Sequence, residues 1–301
     1  MNVRARAAAV TLITDALLRK WPLPTFDEKL GKEARGDVLI VGGSVQVPGA
    51  VLLAGAAALR AGAGRVQLGT ARAVALHLAV MFPEARVIGL PQGNAGELSA
   101  GAVAKLSKEI EACRALLVGP GMCQEAAAAS IVQHCQKTGS RCTLVLDAGA
   151  LGVLRGRRPT LARYAAGVVA TPHAGEMATL WGCERDEVLA RPLELAREAA
   201  RTLGIVLVMK GVETFVVTPE GVAYRNVAGN SGLATAGSGD TLSGIIAGLV
   251  ARGAEPVQAA VWGVYLHAKA GEALSSKLGP LGFLARELPS EIPQLLDSIT
   301  R

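Results

Sequence analysis

From Asp37 onward the chain alternates short β-branched or apolar runs with longer Ala-rich stretches of helical pattern, and no other feature narrows its possible folds as far. Val38–Val41 is followed by Ala50–Arg60, Val66–Leu68 by Ala73–Ala79, and Ala115–Val118 by Gln124–Thr138. Thr143–Leu146 and Val168–Ala170 then precede a helical stretch near Glu187–Leu203. Runs that are apolar throughout need cover on both faces, so the expected fold is α/β, a central and mostly parallel sheet with helices on each side in three α/β/α layers. The rhythm changes after Ile205–Met209. Thr214–Val217 and Val222–Arg225 are separated only by Thr218, Pro219, Glu220 and Gly221, which reads as an antiparallel hairpin. Helices over Asp240–Arg252 and about Pro256–Ala273 follow, then a looser tail from Gly279.

A single domain over residues 36–301 accommodates this pattern, preceded by an N-terminal helical extension over 1–35. Within that extension, Arg4 and Arg6 ahead of Ala7–Ile13 superficially resemble a secretion signal. Asp15 interrupts the apolar stretch, and Arg19 and Lys20 follow with no small-residue cleavage site, so Met1–Leu18 reads as an amphipathic surface helix. Apolar runs such as Val51–Leu59 end at a charge well short of the roughly 18 residues a membrane span needs, and no membrane partner is expected. The formal charge of +6 is spread along the chain and aromatics are only 3%, too few to stack bases, so no nucleic-acid partner is expected either. Cys113, Cys123, Cys135, Cys142 and Cys183 are odd in number and lack CxxC or zinc-finger spacing; reduced thiols in a cytoplasmic protein are the expectation.

The chemistry concentrates in Ala228–Asp240, a Gly-rich stretch running into the helix that follows. Glycines let backbone approach a ligand closely, and the free N–H groups of a helix's first turn favour an anion, so a phosphate site is inferred. A carboxylate beside phosphate is normally repelled. Asp240 is therefore either an N-cap in a Gly-rich turn or a general base that takes a proton from a substrate hydroxyl.

Gly237-Ser238-Gly239-Asp240 resembles the Gly-x-Gly-Asp anion-hole motif of ribokinase-like kinases. Other segments resemble one branch of that superfamily, the NAD(P)H-hydrate dehydratases. Gly42-Gly43-Ser44 with Pro48-Gly49-Ala50 is similar to that family's first substrate-facing stretch, and Val118-Gly119-Pro120-Gly121 to its glycine turn. Leu146–Leu151 resembles its Asp-Ala-Asp-Ala-Leu segment, Thr171–Met177 its Thr-Pro-His-Pro-Gly-Glu-Met signature, and Lys210–Thr214 its Lys-Gly-x-x-Thr. Gly149 departs from the pattern where a second Asp is common, Ala174 where Pro is common, and Ala285–Leu288 where a small residue and Asp are usual.

The resemblance implies ADP- or ATP-dependent dehydration of hydrated NADH or NADPH (NADHX, NADPHX), with Mg²⁺ as cofactor and a homo-oligomer such as a tetramer. Similarity to stand-alone bacterial members favours ADP. By the same resemblance Ala50, Gly121, His173 and Asp240 would line the substrate; Lys210, Gly211, Val212, Glu213, Thr214 and Gly239 would hold the adenine nucleotide; and Gly237, Ser238 and Gly239 would serve Asp240 in catalysis. Glu176 would organise the metal through water. Read on their own, His173 and Glu176 fit structural roles as well, a satisfied strand-end His and a helix-cap acid. A related kinase acting on a vitamin precursor of the hydroxyethylthiazole or pyridoxine type is the competing reading, because it would share the sheet and the anion hole.

Overall fold

The computed structural model describes residues 9–25, 31, 35–155, 161, 162 and 164–301. Ten strands form one sheet: β1 (Val10–Leu12), β2 (Asp37–Val41), β3 (Arg65–Ala71), β4 (Arg86–Leu90), β5 (Ala115–Val118), β6 (Thr143–Leu146), β7 (Val168–Ala170), β8 (Val206–Met209), β9 (Thr214–Val217) and β10 (Ala223–Asn226). Their order across the sheet is β1-β10-β9-β8-β7-β6-β5-β2-β3-β4. Pairing is parallel from β4 through to β8, antiparallel between β8 and β9 and in the expected hairpin β9-β10, and parallel again between β10 and β1.

Because successive strand side chains point to opposite faces, each wholly apolar strand feeds two cores at once. Leu39, Val41, Leu116, Val118, Leu144 and Leu146 pack on one face with helices Ala126–Thr138 and Pro192–Leu203. Val38, Ile40, Ala115, Leu117 and Val145 pack on the other with Ala50–Arg60, Ser238–Ala251 and Pro256–Leu278. These are the three layers the sequence predicts. On the second face, Gly244 and Gly248 bring Ser238–Ala251 into backbone contact with Ala50–Arg60: a Cβ at either would lie 2.3 Å from the Ala54 carbonyl oxygen or 2.5 Å from that of Ala58. The glycines thereby fix the height at which the Gly-rich loop meets the sheet.

Four local expectations give way. Residues 1–8 lie outside the described residues; in the described part of the helix expected over Met1–Leu18, Val10–Leu12 is a strand beside β10 and a helix, capped by the Thr14 hydroxyl, runs over Asp15–Lys20. Glu187–Leu203 is two helices, Arg185–Ala190 and Pro192–Leu203, because Pro192 suits a first helical turn and not a helix interior. The tail is not loose: Leu288–Thr300 is helical and buries Leu288, Ile292 and Ile299. β4 forms from a segment the apolar-run criterion passes over. No helix among the described residues is long and apolar enough to cross a membrane.

Candidate active site

The sheet dictates where a ligand can sit. From β2 the chain winds outward to β3 and β4, then returns to place β5 on the other side of β2. This reversal leaves a crevice at the carboxyl ends of β2 and β5, the usual ligand position in open α/β sheets. The loops leaving those strands are tied together: Gly43 N–H donates to the Pro120 carbonyl at 2.8 Å and Ser44 N–H to that of Gly121 at 3.0 Å. Gly121 lies against Ala50, the first residue of Ala50–Arg60; a Cβ on Gly121 would come 3.0 Å from that of Ala50 and 2.4 Å from the Val47 carbonyl oxygen. Two of the expected substrate-lining residues are thus neighbours at the switch point.

Next to this crevice the carboxyl ends of β6, β7 and β8 deliver charge. Asp147, immediately after β6, is buried and accepts from the Thr171 hydroxyl at 2.7 Å and from Lys210 Nζ at 3.0 Å through the same Oδ1. Lys210 follows β8, and its Nζ lies 3.7 Å from Glu176 Oε2. Burial by itself would lower the Lys210 pKa, but the Asp147 and Glu176 carboxylates raise it, so the ammonium stays charged. A Cβ on Gly239 would lie 3.3 Å from the same Nζ, which puts the first turn of Ser238–Ala251 directly on the lysine.

Asp240 joins this cluster from that first turn. The helix is capped by Gly237, whose φ of +87° is a left-handed conformation that glycine adopts without strain. Asp240 stands inside the helix, so it is not the N-cap. Burial, together with the negative charge of Asp147 and Glu176, pushes its pKa up to about 7 against the opposing pull of Lys210. Three carboxylates share one ammonium here, and the acid facing the helix N-terminus is the one left near neutrality. Such a carboxyl can exchange a proton at ordinary pH, and the adjacent N–H groups can hold an anion. Ser238, the helix's first residue, is buried and meets His267 of Pro256–Leu278 at 3.0 Å, a contact that sequence reading missed.

His173 and Glu176 are locked to each other. His173 caps Ala174–Trp181, its Nδ1 accepting from the Gly175 and Glu176 N–H groups at 3.0 and 3.2 Å, while Glu176 Oε2 accepts from His173 N–H at 2.8 Å. With Nδ1 accepting, the ring proton resides on Nε2, which lies 3.5 Å from Glu176 Oε2 on an otherwise exposed ring. The structural reading of His173, a helix-capping residue, holds. No group of three or more His, Cys, Asp or Glu able to ligate a metal directly is present among the described residues. A Mg²⁺ carried by nucleotide phosphates would find Glu176 and Asp147 as nearby carboxylates able to reach it through water.

The rest of Lys210–Thr214 forms the β8–β9 turn. Val212 is fully exposed and Glu213 pairs with Arg225 on β10, which holds the Glu213 carboxyl below its ordinary range. Lys210 is the residue of this segment that enters the acid cluster. Gly149 stands beneath Met122, where a Cβ would come 2.3 Å from the Met122 carbonyl oxygen; this backbone has no room for a second Asp.

Known proteins resemble this chain in sequence and fold. The model of one family, NAD(P)H-hydrate dehydratase, matches residues 38–294. An ADP-dependent (S)-NAD(P)H-hydrate dehydratase of Xanthomonas campestris is 47% identical over 97% of this chain and 98% of its own. A bifunctional NAD(P)H-hydrate repair enzyme of Moorella thermoacetica is 38% identical over 96% of this chain, which spans 54% of that longer protein. Among solved structures, the ADP/ATP-dependent NAD(P)H-hydrate dehydratase of Bacillus subtilis, co-crystallised with ATP and Mg²⁺, superposes with a TM-score of 0.84 at 31% identity, covering 97% of this chain and 99% of that one.

Proposed function

The chain belongs to the NAD(P)H-hydrate dehydratase family, and we propose that it removes water from the S-epimer of hydrated NADH or NADPH, with ADP or ATP as phosphoryl donor. The observation that carries the mechanism is the Asp240 carboxyl near neutrality at a helix N-terminus, beside a lysine and two further carboxylates. Hydroxide is a poor leaving group, and phosphate is a good one. Asp240 takes the proton of the substrate's ring hydroxyl as the terminal phosphoryl group of the nucleotide moves to that oxygen. The N–H groups of Gly237, Ser238, Gly239 and Asp240 hold the charge that spreads over the phosphoryl oxygens, and Lys210 lies alongside. The carbon–oxygen bond then breaks as inorganic phosphate leaves, and loss of a proton from the neighbouring ring carbon restores NADH or NADPH. The other products are phosphate and AMP, or ADP when ATP is the donor.

Ala50, Gly121 and His173 are assigned to the substrate side, because Ala50 and Gly121 meet at the crevice between β2 and β5 and the His173 ring is exposed there, its Nε2 beside Glu176 Oε2. The nucleotide is assigned to the β8–β9 side, along Lys210, Gly211, Val212, Glu213 and Thr214, with Gly239 beneath its phosphates. Mg²⁺ bound to those phosphates would screen their charge from Asp240, and Glu176 would touch it through water.

The test is to incubate the purified protein with hydrated NADH, Mg²⁺ and either ADP or ATP, following the absorbance of reduced nicotinamide and the fate of the phosphate. Nucleotide-dependent return of absorbance with stoichiometric inorganic phosphate is expected. No return with either donor, together with a stable phosphorylated product from hydroxyethylthiazole or pyridoxine, would replace this reading with a vitamin-precursor kinase.

A further inference from the structure

His267 lies on Pro256–Leu278, 27 residues beyond Asp240, and the reaction as described makes no use of it. Its Nε2 is 3.0 Å from Ser238 Oγ and 3.1 Å from the Ser238 carbonyl oxygen. A carbonyl only accepts, so the second contact requires the ring proton to be on Nε2. That N–H then faces both oxygens of one residue. Ser238 Oγ accepts from it, and the hydroxyl's own proton is left for another acceptor. Ser238 is the first residue of the helix whose N-terminus is the anion site, between Gly237 and Gly239. The acceptor that arrives there in the reaction is a phosphoryl oxygen. Burial, helped by the Lys210 charge and opposed by the hydrogen bond to the Ser238 carbonyl, lowers the His267 pKa to about 4, so the ring is neutral wherever Asp240 titrates. It is a fixed donor and not a second base.

We propose that His267 is a positioning residue for phosphoryl transfer, acting through Ser238: it anchors the first turn of Ser238–Ala251 at both Ser238 oxygens and leaves the Ser238 hydroxyl proton directed to the transferring group. The inference rests on the dehydratase reading, but one of its observables does not. The imidazole ¹⁵N shifts of the whole protein, with His267→Gln identifying the signal, should show the Nε2–H tautomer, unprotonated at Nδ1 down to about pH 5. An Nδ1–H tautomer would overturn the proposal whatever the enzyme's substrate.

In turnover, His267→Ala should lower kcat roughly 10- to 100-fold, as loss of an aligned anion donor does, with KM for both substrates changed by less than about threefold. His267→Gln, whose amide N–H reaches in the same direction, should recover most of that loss. Ser238→Ala should resemble His267→Ala, and the double variant should be no slower than the slower single one. Wild-type kcat in His267→Ala, failure of Gln to outperform Ala, or losses that multiply in the double variant would each contradict the role. Should His267→Ala not fold, the tautomer and the comparison of His267→Gln with Ser238→Ala still decide. A wild-type protein that restores no NADH would strike at the proposed function and is distinguishable from any of these.

Discussion

The two ends of the strands handle charge in opposite ways. At the amino ends of β2 and β3, Asp37 receives both Nε and a terminal nitrogen of Arg65, at 2.8 and 2.9 Å, and nearby Arg86 meets Glu109 at 3.1 Å. Asp37 and Glu109 each have their own base there, and the cavity of about 470 Å³ lined by Asp37, Arg65 and Arg86 is bordered by these pairs. At the carboxyl ends Asp147, Glu176 and Asp240 share Lys210. A matched pair stabilises and then has little left to offer a ligand. An unmatched cluster costs stability and keeps one proton mobile, which is what a base beside phosphate needs. The charge imbalance at the carboxyl ends is the feature on which the proposed function rests.

The largest effect that would sharpen this contrast comes from Asp240→Asn. Removing the base should reduce turnover by about 10²- to 10⁴-fold. Stability should move the other way. Because the folded pKa of Asp240 is raised above its unfolded value, its ionisation weighs against the fold, a cost absent below about pH 4 and growing as the pH rises through about 7. Asp240→Asn should thus be more stable than the wild type at pH 8, by on the order of 2 kcal/mol, with the advantage vanishing near pH 4. Denaturant unfolding at the two pH values checks the sign. Asp37→Asn is the counterpart at the other end. It breaks a paired, largely buried acid, and should lower stability by about 1–3 kcal/mol while leaving kcat within about twofold. If Asp37→Asn slowed turnover as much as Asp240→Asn, the division of labour between the two ends would be wrong.

Much of this contrast is legible in the sequence, for physical reasons that also explain what is not. β2, β5, β6 and β8 are buried on both faces and, after Asp37 at the start of β2 and Thr143 at the start of β6, read as unbroken apolar runs. β4 escapes notice because it is an edge strand in which Gly89 cuts the apolar run to Val87-Ile88 and only Leu90 is fully buried. Val10–Leu12 is too short to display a period, and it becomes a strand only because β10 offers an edge. The tail helix was hidden by Pro289 and Pro293, although Leu288, Ile292 and Ile299 recur at helical spacing. Within the site, Asp240 and the glycines before it announce themselves as a local motif. Glu176 stands three residues after His173, the spacing of a capping box, which was a readable sign that its carboxylate is partly committed to the backbone. His267 left no such sign. Its partner is far away in sequence and is brought to it only by the packing of two helices.

The account stands or falls on what sets the protonation of Asp240. The most direct measurement is the pH dependence of kcat/KM in the wild type and in Glu176→Gln, a change that keeps the hydrogen bond to His173 N–H and removes one negative charge. The wild-type rate should rise with pH about a midpoint near 7 as Asp240 loses its proton, and the limb should move down by roughly half a unit to one unit in the variant. A rate independent of pH across this range, or a limb that stays in place or moves up when the charge of Glu176 is removed, would contradict it.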